Sequence, residues 1–383
     1  MGLSQLFALL DMKENLVKHR LSLLLLVFAC LLALAPGASA QTDCLNLAEA
    51  DCAILQAAEA NSENVKSAQI SFAIDFSLGG LESFDPSAGG IEFHLSGQGP
   101  FTSTGVPDPT AMMSGDLASL LDTFNTQMDM NLSITMPDES FSTPFSFVIT
   151  DGTLYFSDPE SGEWVGMTGE ALAAQFEQMQ GMMGAMGGVD PSTMSDPTAM
   201  MGQLPPELIT ALSTIDFEGL AATPGFLNFQ RLGDEQLMGQ AMIPFQFTAD
   251  FGTLFKSAEF QTAVNQLMQA AAQMDSGADS AEAAQMMMVV PLFLQNTTGT
   301  LNVTQWVGST DQFIHKVAVD LQGAMDLSAL AAAGGDASAA SQMQPITIDF
   351  HFDVSFDQIN GTFDIQAPEG ARILTPEEMG LGS

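Results

Sequence analysis

Basic residues are scarce in this chain. Its 383 residues include eight lysines and arginines against 46 aspartates and glutamates, which gives a formal net charge of −38. A surface so poor in cations repels phosphate backbones, so nucleic acid is excluded as a partner. The negative charge keeps a chain with 46% hydrophobic residues soluble.

Catalytic motifs are also missing. There are only four histidines and three cysteines, and no Gly-x-Ser-x-Gly elbow, Gly-rich phosphate loop or metal-ligand cluster is present. His94 and His351 fall on the wet faces of predicted strands, where an imidazole needs no special role. We therefore expect no enzyme, no cofactor and no resident metal.

Residues 1–40 have the pattern of an export signal. Lys13, Lys18 and Arg20 precede an apolar stretch, and Ala38-Ser39-Ala40 is a small-residue cleavage site. This predicts a soluble protein outside the cell or in the cell envelope. The alternative is that the apolar stretch is retained as an anchor, although it is short for a membrane span.

Cysteine use downstream of the signal points to one disulfide bond. Cys44 and Cys52 are an even pair in an exported chain, so residues 41–64 are expected to form a small Cys loop and a helix. The alternative is two free thiols in the helix.

Alternation of apolar and polar residues is the clearest positive signal. Ile346 to Phe356 places apolar side chains at every second position, and so do Ile70 to Leu78 and Met128 to Met136. Strands point successive side chains to opposite faces, so each run has one apolar and one wet face. Long strands of this kind predict an α+β protein, mainly antiparallel β, with one large sheet. Shorter copies include Phe363 and Ile365.

Helical periodicity interrupts the strands. Leu172, Phe176, Met179 and Met183 fall on one helical face. Two later stretches are also expected to be helical, Leu254 to Met274 and Ala281 to Leu294, and the second carries Met287. Segments 187–203 and 331–344 have no periodicity and are expected to be flexible. We expect one domain over residues 65–374 and a short tail at 375–383.

The order of these elements resembles a known family. Asp151-Gly152 is a strong hairpin signal, and Leu154-Tyr155 and Glu163-Trp164-Val165 follow it. Together with the patterns in Arg231–Glu235, Val303–Gly308 and Phe313–Val317, this is similar to the lipoprotein-carrier (LolA-like) superfamily, nearer its LppX/LprG-type branch. The lipidation cysteine of that branch is absent, and no headgroup motif can be carried over.

The resemblance implies a single highly curved sheet, an incomplete barrel, with Met-rich helices across its concave apolar face. Such a protein carries a lipid or acyl chain, with an envelope acceptor or exporter protein as partner. Methionine suits the lining because its side chain is unbranched and polarizable. The expected ligand-lining residues are Phe72, Ile74, Phe76, Met130, Leu132, Ile134, Phe147, Phe350, Phe352, Met179, Met183 and Met287.

Two other functions fit the same residues. A structural or adhesive surface protein would fill the sheet with its own helices, without a ligand. A Met-rich copper carrier is less well supported, because no histidine or cysteine lies among the methionine clusters.

Overall fold

The computed structural model describes residues 44, 47–80, 82, 89–104, 121–137, 139–157, 161–174, 217–274, 294–328 and 343–375. Within these ranges the chain is mostly antiparallel β, as the alternation predicted. The predicted helical methionines Met179, Met183 and Met287 lie outside the described residues. So do the signal segment 1–40, segment 187–203 and most of segment 331–344.

Strands follow one another along most of the described chain. The elements are α1 Glu49–Ser62, β1 Ser67–Gly79, β2 Ile91–Ser103, β3 Phe124–Met136, β4 Glu139–Thr150, β5 Thr153–Ser157, β6 Trp164–Thr168, α2 Phe217–Ala221, β7 Leu227–Arg231, β8 Glu235–Leu237, β9 Gln240–Asp250, α3 Phe251–Lys256, α4 Ala258–Met274, β10 Thr297–Gly308, β11 Ile314–Met325, β12 Ile346–Asp357 and β13 Arg372–Ile373.

All thirteen strands belong to one sheet. Its order is β13-β6-β5-β4-β3-β2-β1-β12-β11-β10-β9-β7, with β8 paired to β9. Neighbours are antiparallel except for β13, which pairs parallel to β6. The first and last long strands, β1 and β12, therefore meet at the centre and join two antiparallel runs, β1 to β6 and β7 to β12.

Tight turns connect paired strands, and the turn between β4 and β5 is where the sequence indicated it. Asp151 and Gly152, between β4 and β5, both have positive φ, at 50° and 69°. Met238 and Gly239, between β8 and β9, have φ of 53° and 76°. Two central residues with positive φ are the type I′ geometry that matches the twist of antiparallel strands.

The deepest part of the core lies where α1 packs on the sheet. Leu55 and Ala58 of α1 are buried against Ile243 and Phe245 of β9 and Val307 of β10. A second cluster of Ala249, Leu301 and Val303 packs with the aromatic rings of α3 and its neighbours. Both clusters belong to the β7–β11 half of the sheet.

Cross-links hold α1 in place. Cys44 and Cys52 form a disulfide bond with a Cα–Cα distance of 5.7 Å. The Arg231 guanidinium donates to Asp51 of α1 at 2.9 Å and to Asp234 at 2.6 Å. The N-terminal helix is thus tied to its own leading loop and to the outer strand β7.

Two details differ from the sequence prediction. Phe363 and Ile365 are not in a strand, because Gln358 and Asn360 adopt positive φ and end β12 with a turn. The single helix expected from Leu254 to Met274 is divided at Ser257, whose backbone is extended. Its hydroxyl oxygen accepts from the Phe260 amide and so caps the start of α4.

Candidate functional site

One face of the sheet is apolar across its central strands. The register pairs apolar residues with apolar residues, for example Phe76 with Phe350 and with Phe93. Directly paired residues point to the same face, so the pattern of each strand adds to that of the next. The same face continues through Leu132 paired with Leu95, and Val319 paired with Phe352.

The structure brings together the strand residues that the sequence singled out as lining. Phe72, Ile74 and Phe76 of β1 lie opposite Val354, Phe352 and Phe350 of β12. Across β2 and β3 the same face continues to β4, and it carries Met130, Leu132, Ile134 and Phe147. All nine strand residues are half-buried. Together with Phe93 and Leu95 of β2, they form a central apolar surface on β12, β1, β2, β3 and β4, which we call the apolar face.

A glycine shapes the middle of the apolar face. A Cβ atom added to Gly97 of β2 would lie 2.3 Å from the Met130 sulfur and 2.8 Å from the Phe72 ring. The missing side chain therefore lets these two large groups lie over strand β2. Sequence reasoning missed this residue, since the close approach depends on strand pairing.

The opposite face carries a continuous polar row that sequence reasoning also missed. Directly paired residues run in the order Asp320 of β11, His351 of β12, Asp75 of β1 and His94 of β2. The His94 Nδ1 to Asp75 Oδ1 distance is 2.5 Å, and the His351 Nδ1 to Asp320 Oδ1 distance is 2.6 Å. Ionised carboxylates only accept, so both Nδ1 atoms donate. These four residues are called the His–Asp row.

A cavity of about 500 Å³ lies on this polar side, over β11, β12, β1, β2, β3 and β4. Carboxylates and imidazoles line its β11–β2 part, and neutral side chains such as Asn131, Ser133 and Ser142 line the rest. The earlier interpretation of His94 and His351 as plain solvated residues is therefore incomplete. Each imidazole binds a carboxylate on a neighbouring strand.

The surroundings of His351 favour its charged form. The hydrogen bond to Asp320 raises the pKa of His351 above its ordinary value of 6.5. Asp353, whose Oδ2 lies 3.4 Å from the His351 Nε2, acts in the same direction, and partial burial opposes both. The imidazolium can donate from both ring nitrogens, whereas the neutral ring has one N–H.

The raised pKa predicts how stability depends on pH. A group protonated more readily when folded contributes stability that is fully present below its unfolded pKa and is lost as pH rises through the folded pKa. As pH rises from about 5.5 to about 8.5, we expect the free energy of unfolding to fall further in the wild-type protein than in His351→Gln. The extra loss is at most about 1 kcal/mol, because the ion pair of His351 with Asp320 is solvent-exposed. Urea unfolding at both pH values measures this. Equal losses in the two proteins would contradict it.

Neither a metal-binding cluster nor a membrane-spanning helix occurs in the described ranges of the chain. No three His, Cys, Asp or Glu side chains of the described residues are grouped in a way that could hold a metal ion. Among the helices of those ranges, none is both long and apolar enough to cross a membrane.

Comparisons with known proteins give matches among solved structures. No protein-family model matches the chain, and no curated protein matches it. Among solved structures, LprF from Mycobacterium bovis is 12% identical, with 83% of this chain and 96% of that chain covered and a TM-score of 0.31. The lipoprotein LppX from Mycobacterium tuberculosis is 9% identical, with 82% and 97% covered and a TM-score of 0.26.

A LolA superfamily protein from Nitrosomonas europaea also matches, at 9% identity, with 79% and 91% covered and a TM-score of 0.14. LppX and the LolA superfamily are the groups that the sequence resembles. The chain is thus similar to LppX and LolA-superfamily proteins, and the likeness concerns the fold alone.

Proposed function

We propose that this protein is a non-catalytic carrier that binds a lipid or other apolar molecule on the apolar face. The observation that carries the proposal is the half-burial of nine large apolar side chains on four of the five adjacent central strands, β12, β1, β3 and β4. The fully buried clusters lie instead under α1 and α3, over β9 and β10. The sheet centre therefore presents apolar surface to which a ligand can add contacts.

Burial alone provides enough affinity for such a ligand. Each methylene moved from water to an apolar surface gains about 0.8 kcal/mol, so ten methylenes gain about 8 kcal/mol before the cost of ordering. A fatty chain then needs no polar anchor. The apolar face offers Phe, Ile, Leu and Met side chains in rows, which suits an extended acyl chain rather than a compact polar solute.

The proposal also includes export of the protein and delivery of its ligand. The signal pattern in residues 1–40 supports a soluble protein outside the cell or in the cell envelope. A carrier in that compartment would give its ligand to an envelope acceptor or exporter protein. The LppX/LprG resemblance supports the same proposal at the level of the sequence pattern.

Ligand content is the direct test. We expect the mature protein purified from its own host to release a stoichiometric lipid on organic extraction, with the complex seen by native mass spectrometry. Phe72→Asp should remove the lipid, because it places a charge in the apolar face. Ser71→Asp is the matched control, since it puts the same group on the next residue and the opposite face.

A milder variant distinguishes loss of ligand binding from loss of folding. Ile74→Thr keeps a β-branched side chain while adding a hydroxyl to the apolar face, and circular dichroism checks that both variants remain folded. A folded wild-type protein that is empty and ignores added fatty acids and phospholipids would support a self-filled structural or adhesive protein instead.

A further inference from the structure

The His–Asp row lies directly behind the apolar face. His351 sits between Phe350 and Phe352 of β12, and Asp75 sits between Ile74 and Phe76 of β1. Successive side chains of a strand point to opposite faces, so the row and the apolar face share one backbone. A change in the interactions between the row residues therefore acts on the ligand-lining side chains directly, through the backbone of β1 and β12.

The charges around the row are mostly negative. Beside its own carboxylates, Asp349 and Asp353 of β12 and Glu92 of β2 flank the imidazoles on the same face. On β11 the Lys316 ammonium lies 3.7 Å from Asp353. The neighbouring positions on β3 and β4 are the neutral Ser133 and Ser142.

Protonation of His351 decides the balance of charge around its ring. The charged ring lies beside the carboxylates of Asp320 on β11 and Asp353 on its own strand, and Asp75 of β1 is its direct strand partner. When the ring is neutral, these carboxylates lose the positive charge between them, while the Lys316 ammonium stays 3.7 Å from Asp353. His351 then also has a single N–H for its two carboxylate neighbours, Asp320 and Asp353.

We propose that the His–Asp row is a pH-sensitive clamp at the sheet centre, which holds the apolar face firmly when His351 is protonated and loosens it when His351 is neutral. The His351 side chain is 42% exposed, so solvent protons reach it. The inference rests on the proposed function and specifies its regulation. Since an ordered surface binds with less loss of entropy, affinity for an apolar ligand falls as pH rises.

Hydrogen exchange tests the clamp without any ligand. Protection factors of β1 and β12 amides, corrected for intrinsic rates, are measured at about pH 5.5 and about pH 8, either side of the ordinary histidine range. In the wild-type protein we expect these protection factors to be about twofold to fivefold smaller at the higher pH, which is the size of effect that exposed ion pairs have on stability. The double variant His94→Gln and His351→Gln should show no such fall.

A matched control removes charge from the same face outside the row. Asp129 of β3 accepts from the Ser146 hydroxyl at 2.7 Å, so Asp129→Asn deletes a carboxylate there without touching the imidazoles. This control should keep the wild-type pH dependence. If the double variant also keeps it, the clamp is overturned.

Binding of a pyrene-labelled monoacylglycerol, a probe uncharged over this pH range, tests the coupling. Its affinity should fall by about twofold to fivefold in the wild-type protein and stay constant in the double variant. The same pH dependence in both proteins overturns the inference and leaves the proposed function standing. Failure of the probe to bind at either pH overturns the proposed function, and the exchange measurement still decides whether the clamp exists.

Discussion

Gly99→Ala is expected to destabilise the protein by about 3 kcal/mol. A Cβ atom at this position of β2 would lie 1.7 Å from the Gln127 carbonyl oxygen and 2.8 Å from its carbonyl carbon. Both neighbours are backbone atoms of β3, so no side-chain rotation can relieve the clash. The strands must separate where Pro100 already interrupts the ladder between the Gln98–Asp129 and Phe101–Thr126 pairs.

Urea unfolding of the variant beside Gly233→Ala measures the effect. The control adds the same methyl group at a glycine where it meets nothing within 4 Å and where φ is not positive. Its stability should stay within about 0.5 kcal/mol of wild type. A Gly99→Ala midpoint equal to that of the control would show that β2 and β3 do not approach as described.

Phe245→Ala is expected to cost about 3–5 kcal/mol. Phe245 is fully buried on β9, and its neighbours Leu55 and Ala58 of α1 and Val307 of β10 are 2%, 0% and 0% exposed. Truncation would leave a cavity between the helix and the sheet that rigid neighbours cannot fill. The loss should also weaken the attachment of α1, since the helix has its buried contacts there.

Chemical denaturation with proteolysis of α1 as a second readout checks this prediction. Phe245→Leu should cost clearly less, because it keeps most of the buried volume. Ile373→Ala, at a side chain 44% exposed, serves as the control and should be close to neutral. Equal losses in the free energy of unfolding for Phe245→Ala and Ile373→Ala would show that Phe245 is not part of the buried core.

Local patterns were sufficient to predict the strands and one face of the sheet. Alternation in Ile70–Leu78 and Ile346–Phe356 identified β1 and β12, and Asp151-Gly152 identified the β4–β5 hairpin, because both signals depend only on neighbours in sequence. Phe363 and Ile365 show the limit of alternation. Two apolar residues at the right spacing do not make a strand when the chain has just turned at Asn360.

Pairing between distant strands could not be predicted in the same way. The His–Asp row exists because β1 and β12 pair with Asp75 opposite His351, and nothing in either segment specifies that register. The polar faces of both strands offered the residue types, but not their alignment. The need for glycine at positions 97 and 99 could not be predicted for the same reason. It arises from side chains and backbone atoms of the neighbouring strands.

The meeting of β1 and β12 also has a consequence for synthesis. Strands β1 to β6 form one antiparallel series and β7 to β12 another, so each can assemble before the two are joined. Their junction pairs β1 with β12, more than two hundred residues later, and this long loop closure slows folding. Until β12 has been synthesised, one edge of β1 is unpaired, and a long unpaired edge is a surface that aggregates or binds chaperones.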